Sequence, residues 1–320
     1  MEESPKAKFH LPSFALHAKF NLVFLNMYHN MPEFFRDGVE IASFYGTFPP
    51  ALWNGGRTVG GYNCDETFVK NIIQAFNSKG VPLRFTFTNP MLQEEHLKDE
   101  FCNKIMQLAN NGMNEVIVMS PLLEAYIREK YPKYKITSST CKRLVDPSAV
   151  SAELEKDYHV VVLDYDLNNK FDILEQLPHK EKAELLINSC CIPKCPFRSE
   201  EYQYVGLQQI AYCEHLKKYP NKPFNMSEYS DFTVKKNIKC PSNGNNIYDS
   251  KKTTHHISPE AIWEKYLPMG FRQFKIEGRT ASQLFLIENY MYYLIKPECR
   301  DEARFLFLHN LERNGLVKID

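Results

Sequence analysis

Apolar positions follow two alternating rhythms along the chain. Short runs rich in β-branched and aromatic residues alternate with longer stretches in which apolar residues return every third or fourth position. The runs predict eight strands: Phe20–Leu25, Val39–Phe44, Leu83–Thr88, Glu115–Met119, Lys135–Ser138, His159–Asp164, Glu184–Ile187 and Phe271–Ile276. Helical spacing predicts helices over Thr67–Ser78, Glu94–Asn110, Pro121–Lys130, Pro147–Asp157, Lys170–Leu177 and Ala281–Ile295. Lys79-Gly80 and Asn111-Gly112 read as helix stops, and Pro121 and Pro147 as helix starts.

Repeated strand-then-helix units imply parallel strands joined by right-handed crossovers. Eight of them predict an α/β fold, a TIM-like (β/α)8 barrel, regular or imperfect; the rival is an open doubly wound sheet. Residues 189–269 break the rhythm and read as an insertion or subdomain after the seventh strand, within a single barrel domain spanning 1–320. Barrel chemistry gathers at the carboxyl ends of the strands. This makes Tyr45, Thr88, Asn89, Ser120, Ser139, Thr140, Asp164, Asp166, Asn188, Glu277 and Arg279 candidate rim residues.

Composition narrows the function classes. At ~150 residues per domain the 320-residue chain could hold two domains, but single barrels also reach this size. With 39 basic and 39 acidic residues the formal charge is zero, which excludes the strong basic excess of a protein that wraps nucleic acid. The start, Met1-Glu2-Glu3-Ser4-Pro5, lacks the pattern of a signal peptide, and no apolar run is long enough to span a membrane, so a cytoplasmic location is expected. Nine cysteines, an odd number without an export signal, point to free thiols or a metal site rather than a disulfide framework.

The densest chemical signal is Asn188-Ser189-Cys190-Cys191-Ile192-Pro193-Lys194-Cys195-Pro196-Phe197-Arg198, which begins where the seventh strand should end. Cys191 and Cys195 are spaced so that one turn can point both at a common centre. Thiolates suit zinc or iron–sulfur centres, which usually take four ligands. Cys240, in the insertion, and Cys64, after the glycine-rich turn Gly55–Gly61, complete a set able to converge on the rim; Cys190 can substitute for one of them. Burial without any metal is the alternative, since free cysteine is among the most buried residue types. Cys102, Cys141, Cys213 and Cys299 read as packing residues.

The second signal is Phe274-Lys275-Ile276-Glu277-Gly278-Arg279-Thr280, a strand end that carries a carboxylate and a guanidinium to the rim, either to orient substrate or to close the barrel as an ion pair. Asp164 and Asp166 could serve acid–base chemistry or cap a helix. His255-His256 reads as part of a solvated polar loop. The lysines between Tyr212 and Lys252 suit either a solvated face or an RNA contact. The chain has no phosphate-loop Gly-Lys-Ser/Thr, no Gly-x-Ser-x-Gly elbow and no His-Glu-x-x-His helix.

Taken together, Lys275-Ile276-Glu277-Gly278-Arg279 and the upstream Asn-x-x-Cys-x-x-x-Cys-Pro-x-Arg segment resemble the peptidase U32 family, as do Leu163–Phe171 and Leu185–Arg198 in that order. The resemblance implies a TIM-like barrel. It also implies an oxygen-independent hydroxylation factor acting on RNA or a quinone precursor, with a [4Fe–4S] cluster held by Cys191, Cys195, Cys240 and Cys64. This chain departs from the pattern at Asn168-Asn169-Lys170, where similar proteins often have Asn-Arg. It departs again at Ser199–Tyr202, where they often have a histidine.

Two classes of function follow. One is an iron–sulfur redox enzyme whose substrate, a nucleobase, a quinone-like ring or a peptide, sits among Asn89, Asp164, Asn188, Glu277 and Arg279, with or without a second protein subunit. The other is a non-catalytic scaffold barrel with a structural metal such as zinc. A peptidase is the third reading, carried by the family's name.

Overall fold

A computed structural model describes residues 5–57, 64–225 and 247–318. Eight strands close into one all-parallel barrel in sequence order. They are β1 (Ala7–Pro12), β2 (Val39–Gly46), β3 (Leu83–Phe87), β4 (Glu115–Val118), β5 (Lys135–Ser138), β6 (Val160–Val162), β7 (Ala183–Leu186) and β8 (Gln273–Lys275). The helices outside are α1 (Ala18–Asn30), α2 (Glu66–Asn77), α3 (Glu100–Leu108), α4 (Pro121–Lys130), α5 (Pro147–Glu155) and the short α6 (Phe171–Leu174). After β7 come α7 (Arg198–Lys218), α8 (Ile247–Ser250) and α9 (Pro259–Ala261), and after β8 come α10 (Gln283–Leu294) and α11 (Arg300–Arg313). The expected (β/α)8 barrel is present.

The first strand is not the expected one. Phe20–Leu25 lies inside α1, and β1 is Ala7–Pro12. A short apolar run fits a buried strand and a buried helix equally well, and periodicity alone does not separate them. In β1 the alternation is real but interrupted by polar residues: Ala7, Phe9 and Leu11 are fully buried, while His10 hydrogen-bonds to Ser43 of β2 and Gln273 of β8. Two helix expectations and the reading of the insertion also change. Glu94–Asn110 divides into a 3-10 turn, Glu94–Lys98, and α3, because Asp99 caps α3 by accepting from Cys102 N at 2.9 Å. Lys170–Leu177 keeps a single helical turn. The insertion, read as a subdomain without a clear strand–helix unit, contains the 21-residue α7.

The barrel interior carries charge. Arg84, fully buried on β3, reaches Glu115 of β4 at 3.1 Å, donates to Thr137 of β5 at 2.9 Å and pairs with Glu184 of β7. One side chain touching three other strands of a closed barrel must lie across its axis. Glu184 also meets Lys275 of β8 at 3.4 Å. Burial alone would raise the Glu184 carboxyl, but Arg84, with Lys275, holds it down at about 2. The apolar core is the shell between strands and helices, where α1, α10 and α11 meet through Phe20, Phe24, Tyr290 and Phe307. Side-chain caps start α2, α4, α5 and α10 at Asp65, Ser120, Asp146 and Ser282.

Helix α7 lies against the loops that follow β2 and β3. Its Gln209 donates to Pro49 O at 2.8 Å and Ala51 O at 3.1 Å. Gly206 sits so tightly against Asn89 that a methyl group there would collide with the Asn89 side chain. The segment after β7 is thus drawn across the mouth of the barrel.

Candidate functional site

Because the strands are parallel, their carboxyl ends open on one side, and a cavity of about 910 Å³ occupies that side. Its floor comes from strand residues Tyr45, Thr86, Ile117, Leu186 and Lys275. Its walls come from the loops bearing Arg57, Cys141 and the thiols Cys190, Cys191 and Cys195. Arg198 and Tyr202 of α7 cover one side, and Glu277–Ser282 with Phe285 close the other.

The thiol loop is stapled to the end of β6. Asp164 accepts from the Arg198 guanidinium at 2.9 and 3.2 Å, and Asp166 accepts from it at 3.3 Å. The guanidinium lies 3.7 Å from the centre of the Tyr165 ring. Asp166 also accepts from Lys194 N at 2.8 Å, where the backbone turns through φ +52°. Arg143 approaches both carboxylates, at 3.3 and 3.6 Å. Asp164 caps a 3-10 turn as well, accepting from Asp166 N at 2.9 Å. Of the two uses weighed for this carboxylate pair, the cap is present, and the pair also anchors Arg198.

His255 is not solvated. It is 2% exposed and donates from Nε2 to Ser189 O at 3.0 Å, bracing the thiol loop from the far side. The neighbouring His256 is part-buried against Tyr292 and Tyr293. The loop reading failed here because local polarity does not reveal which turn packs under another element.

Burial pushes the Cys190 thiol up to about 12, with the Glu277 charge adding to the effect. Burial raises Cys191 also, opposed by a hydrogen bond from the Tyr165 hydroxyl. These are protonated thiols at neutral pH. Thiols raised in this way lack the lowered value that an activated nucleophile needs.

The candidate residues fall into two groups. Glu277, Arg279, Cys191 and Cys195 line the cavity. Asn89, Asp164 and Asn188 are buried behind it. Asn89 donates to Leu52 O and Gly206 O, each at 3.1 Å. Asn188 accepts from Glu277 N at 2.6 Å and donates to Asn289 at 2.8 Å, fixing the strand end that presents Glu277. Cys64 lies in the apolar shell just before α2, away from the cavity lining, and burial pushes its thiol up to about 12. Cys240 lies outside the described residues, as do most of the lysines of the insertion. Cys141, read as a packing residue, is buried and also lines the cavity. Sequence reasoning missed Arg57 and Tyr202. Arg57 sits in a glycine-rich turn and pairs with Glu277 across the mouth.

The same segments can be compared with known proteins. No family model matches the sequence. A stretch of 103 residues is 27% identical to an uncharacterized protease of Methanocaldococcus jannaschii, covering 31% of this chain and 30% of that protein's length. In a comparison with solved structures, the U32 peptidase Mk0906 aligns with a TM-score of 0.44 and 13% identity, over 71% of this chain and 86% of the other. Among the described residues, no helix is long and apolar enough to cross a membrane.

Proposed function

We propose that this U32-like chain is a redox enzyme of the oxygen-independent hydroxylation type, with a [4Fe–4S] cluster held by Cys191, Cys195, Cys240 and Cys190 at the mouth of the barrel. The observation that carries this reading is the gathering of Cys190, Cys191 and Cys195 on one cavity at the carboxyl ends of the strands. Thiolates are the ligands such clusters take. No three described His, Cys, Asp or Glu side chains stand close enough to share a metal ion. The donors fit in kind, but the described thiols do not by themselves form a ligand set, so the reading requires the thiol loop to close around the cluster, with Cys240 assigned as a further ligand. When bound, the cluster would carry electrons away from the substrate, because hydroxylation is a two-electron oxidation. The chain's own residues do the remaining work. Arg198 and His255 hold the thiol loop, the Arg57–Glu277 pair flanks the opening, and Tyr45, Tyr165 and Tyr202 offer aromatic walls to a ring-bearing substrate such as a nucleobase, a quinone precursor or a peptide side chain.

The test is anaerobic purification followed by iron and sulfide analysis. The expectation is about four iron and four sulfide per chain, the content of one such cluster. Cys191→Ser and Cys195→Ser should abolish it, and Cys64→Ala should retain it. One zinc per chain without iron would replace this reading with a structural metal site in a scaffold barrel. Neither metal after anaerobic reconstitution would remove both. A thiol peptidase is disfavoured by the burial-raised Cys190 and Cys191.

A further inference from the structure

Two cations stand at the deep end of the cavity, and their surroundings differ. Lys275 has Glu184 at 3.4 Å, its ammonium is 4.1 Å from the centre of the Tyr45 ring, and it is 7% exposed. Arg279 is 9% exposed, and no carboxylate lies within ion-pair distance of its guanidinium among the described residues. Its hydrogen bonds go to neutral acceptors: Asn54 Oδ1 at 3.0 Å, Thr86 Oγ1, and Gly55 O at 2.6 Å. These use three of the five N–H groups of a guanidinium. In and beside the barrel interior, the cations Arg84, Lys275 and Arg279 face the carboxylates Glu115 and Glu184. Among these described residues one positive charge is left over, in a place where an unpaired charge is costly.

A niche adjoins that charge. Gly56 adopts φ +74°, and a Cβ built on it would lie 3.4 Å from Cys141 Sγ, 3.6 Å from Arg279 Nη2 and 3.6 Å from Thr88 Oγ1. A guanidinium, a hydroxyl and a thiol thus converge on one point that the missing side chain leaves open to the cavity. We propose that this niche binds the carboxylate of a small organic substrate, with Arg279 as its charged partner, Thr88 as a hydroxyl donor and Lys275 as the second cation. A carboxylate suits the single uncompensated charge and the planar guanidinium. A phosphate dianion would bring twice the charge to a niche whose second cation is already matched by Glu184. The remainder of the ligand would lie outward, among Tyr165, Tyr202 and Phe285.

This inference extends the reading of the cavity given above by naming the charged group of its substrate. It is tested by binding rather than turnover, on chain that need not carry iron, so its failure is separate from failure of the cluster. The probes are phenylacetate, its neutral isostere phenylacetamide, and inorganic phosphate, each titrated while thermal unfolding is followed. Phenylacetate is expected to raise Tm progressively in the low-millimolar range, and phenylacetamide to leave it unchanged. Arg279→Gln and Arg279→Lys should each weaken the response at least tenfold, and Lys275→Met should weaken it less. Lys104→Gln, on the exposed face of α3 and outside the cavity lining, should keep it. Equal shifts with acid and amide, or an undiminished response in a folded Arg279 variant, would overturn the proposal. If phosphate protects at lower concentration than phenylacetate, the carboxylate assignment is wrong. Should both Arg279 variants fail to fold, the wild-type comparison of acid with amide and phosphate still decides the outcome.

Discussion

Acidification to about pH 5 isolates one buried imidazole. His10 is 4% exposed at the centre of the barrel's charge network. Its Nε2 donates to Gln273 Oε1 at 2.9 Å, so its Nδ1 accepts from the Ser43 hydroxyl at 2.7 Å. Both ring nitrogens are satisfied in the neutral form. Glu184 lies 3.4 Å from Nε2, close enough to suggest an ion pair, but its charge is already engaged by Arg84 and Lys275. Burial, reinforced by Arg84 against the pull of Glu184, lowers the His10 pKa to about 3 from its usual 6.5. The unfolded chain therefore binds a proton below 6.5 that the folded chain refuses down to about 3, and stability falls as pH falls through that window.

The size of the effect follows from the same two values. About pH 5 lies roughly 1.5 units below the unfolded value, and each unit is worth about 1.4 kcal/mol, so His10 should remove about 2 kcal/mol between neutral pH and that point. Carboxylates contribute little there, because their unfolded values lie lower. Other histidines do contribute, since burial also lowers His256, to about 4. The measurement is therefore a difference: urea unfolding of wild type and His10→Gln, each at about pH 7 and pH 5. The wild type should lose about 2 kcal/mol more than the variant. Equal losses would mean that His10 is protonated in the folded barrel, and the account of the network as saturated by Arg84 and Lys275 would be refuted.

Two other substitutions probe how the mouth is held. Gly206→Ala places a methyl group against the Asn89 side chain and should cost about 1–3 kcal/mol in urea unfolding, by forcing α7 away from the β3 loop. Arg198→Met leaves the buried Asp164 and its neighbour Asp166 with Arg143 as their remaining cation. It should destabilise the chain by about 3–5 kcal/mol and speed alkylation of Cys191 and Cys195, whereas Arg198→Lys should fall between it and wild type.

The strand–helix alternation made the barrel legible, because each βα unit is a local pattern. Seven of the eight strands overlap the runs that predicted them. The exception, β1, is a strand whose inward residue is a histidine rather than an aliphatic, so its alternation does not stand out. The site was legible where chemistry and position coincide in one short segment, as at Cys190–Cys195 and Glu277–Arg279. It was not legible where a residue is assigned its role by a distant partner. Nothing near Asn89 announces that α7 will bury it, and nothing near Arg57 announces Glu277 across the mouth. Cys64 has the converse problem: its place before a helix is right for a rim residue, yet its side chain turns into the apolar shell.

Two buried arginines separate structure from recognition in this barrel. Arg84 compensates Glu115 and Glu184, and its removal strands both carboxylates in the interior. Arg84→Met should therefore cost about 3–5 kcal/mol, the loss expected when one partner of a buried ion network is deleted. Among the described residues, Arg279 has no carboxylate within ion-pair distance. Of its acceptors, Thr86 and Gly55 line a cavity that water can enter, and the fully buried Asn54 Oδ1 keeps the Thr86 hydroxyl at 3.5 Å as a donor. Arg279→Met removes an unbalanced charge and should leave stability within about 1 kcal/mol of wild type. Urea unfolding of the two variants side by side measures the contrast. If they lose equal stability, Arg279 is a strut of the barrel like Arg84, and the surplus charge that points to an anionic ligand does not exist.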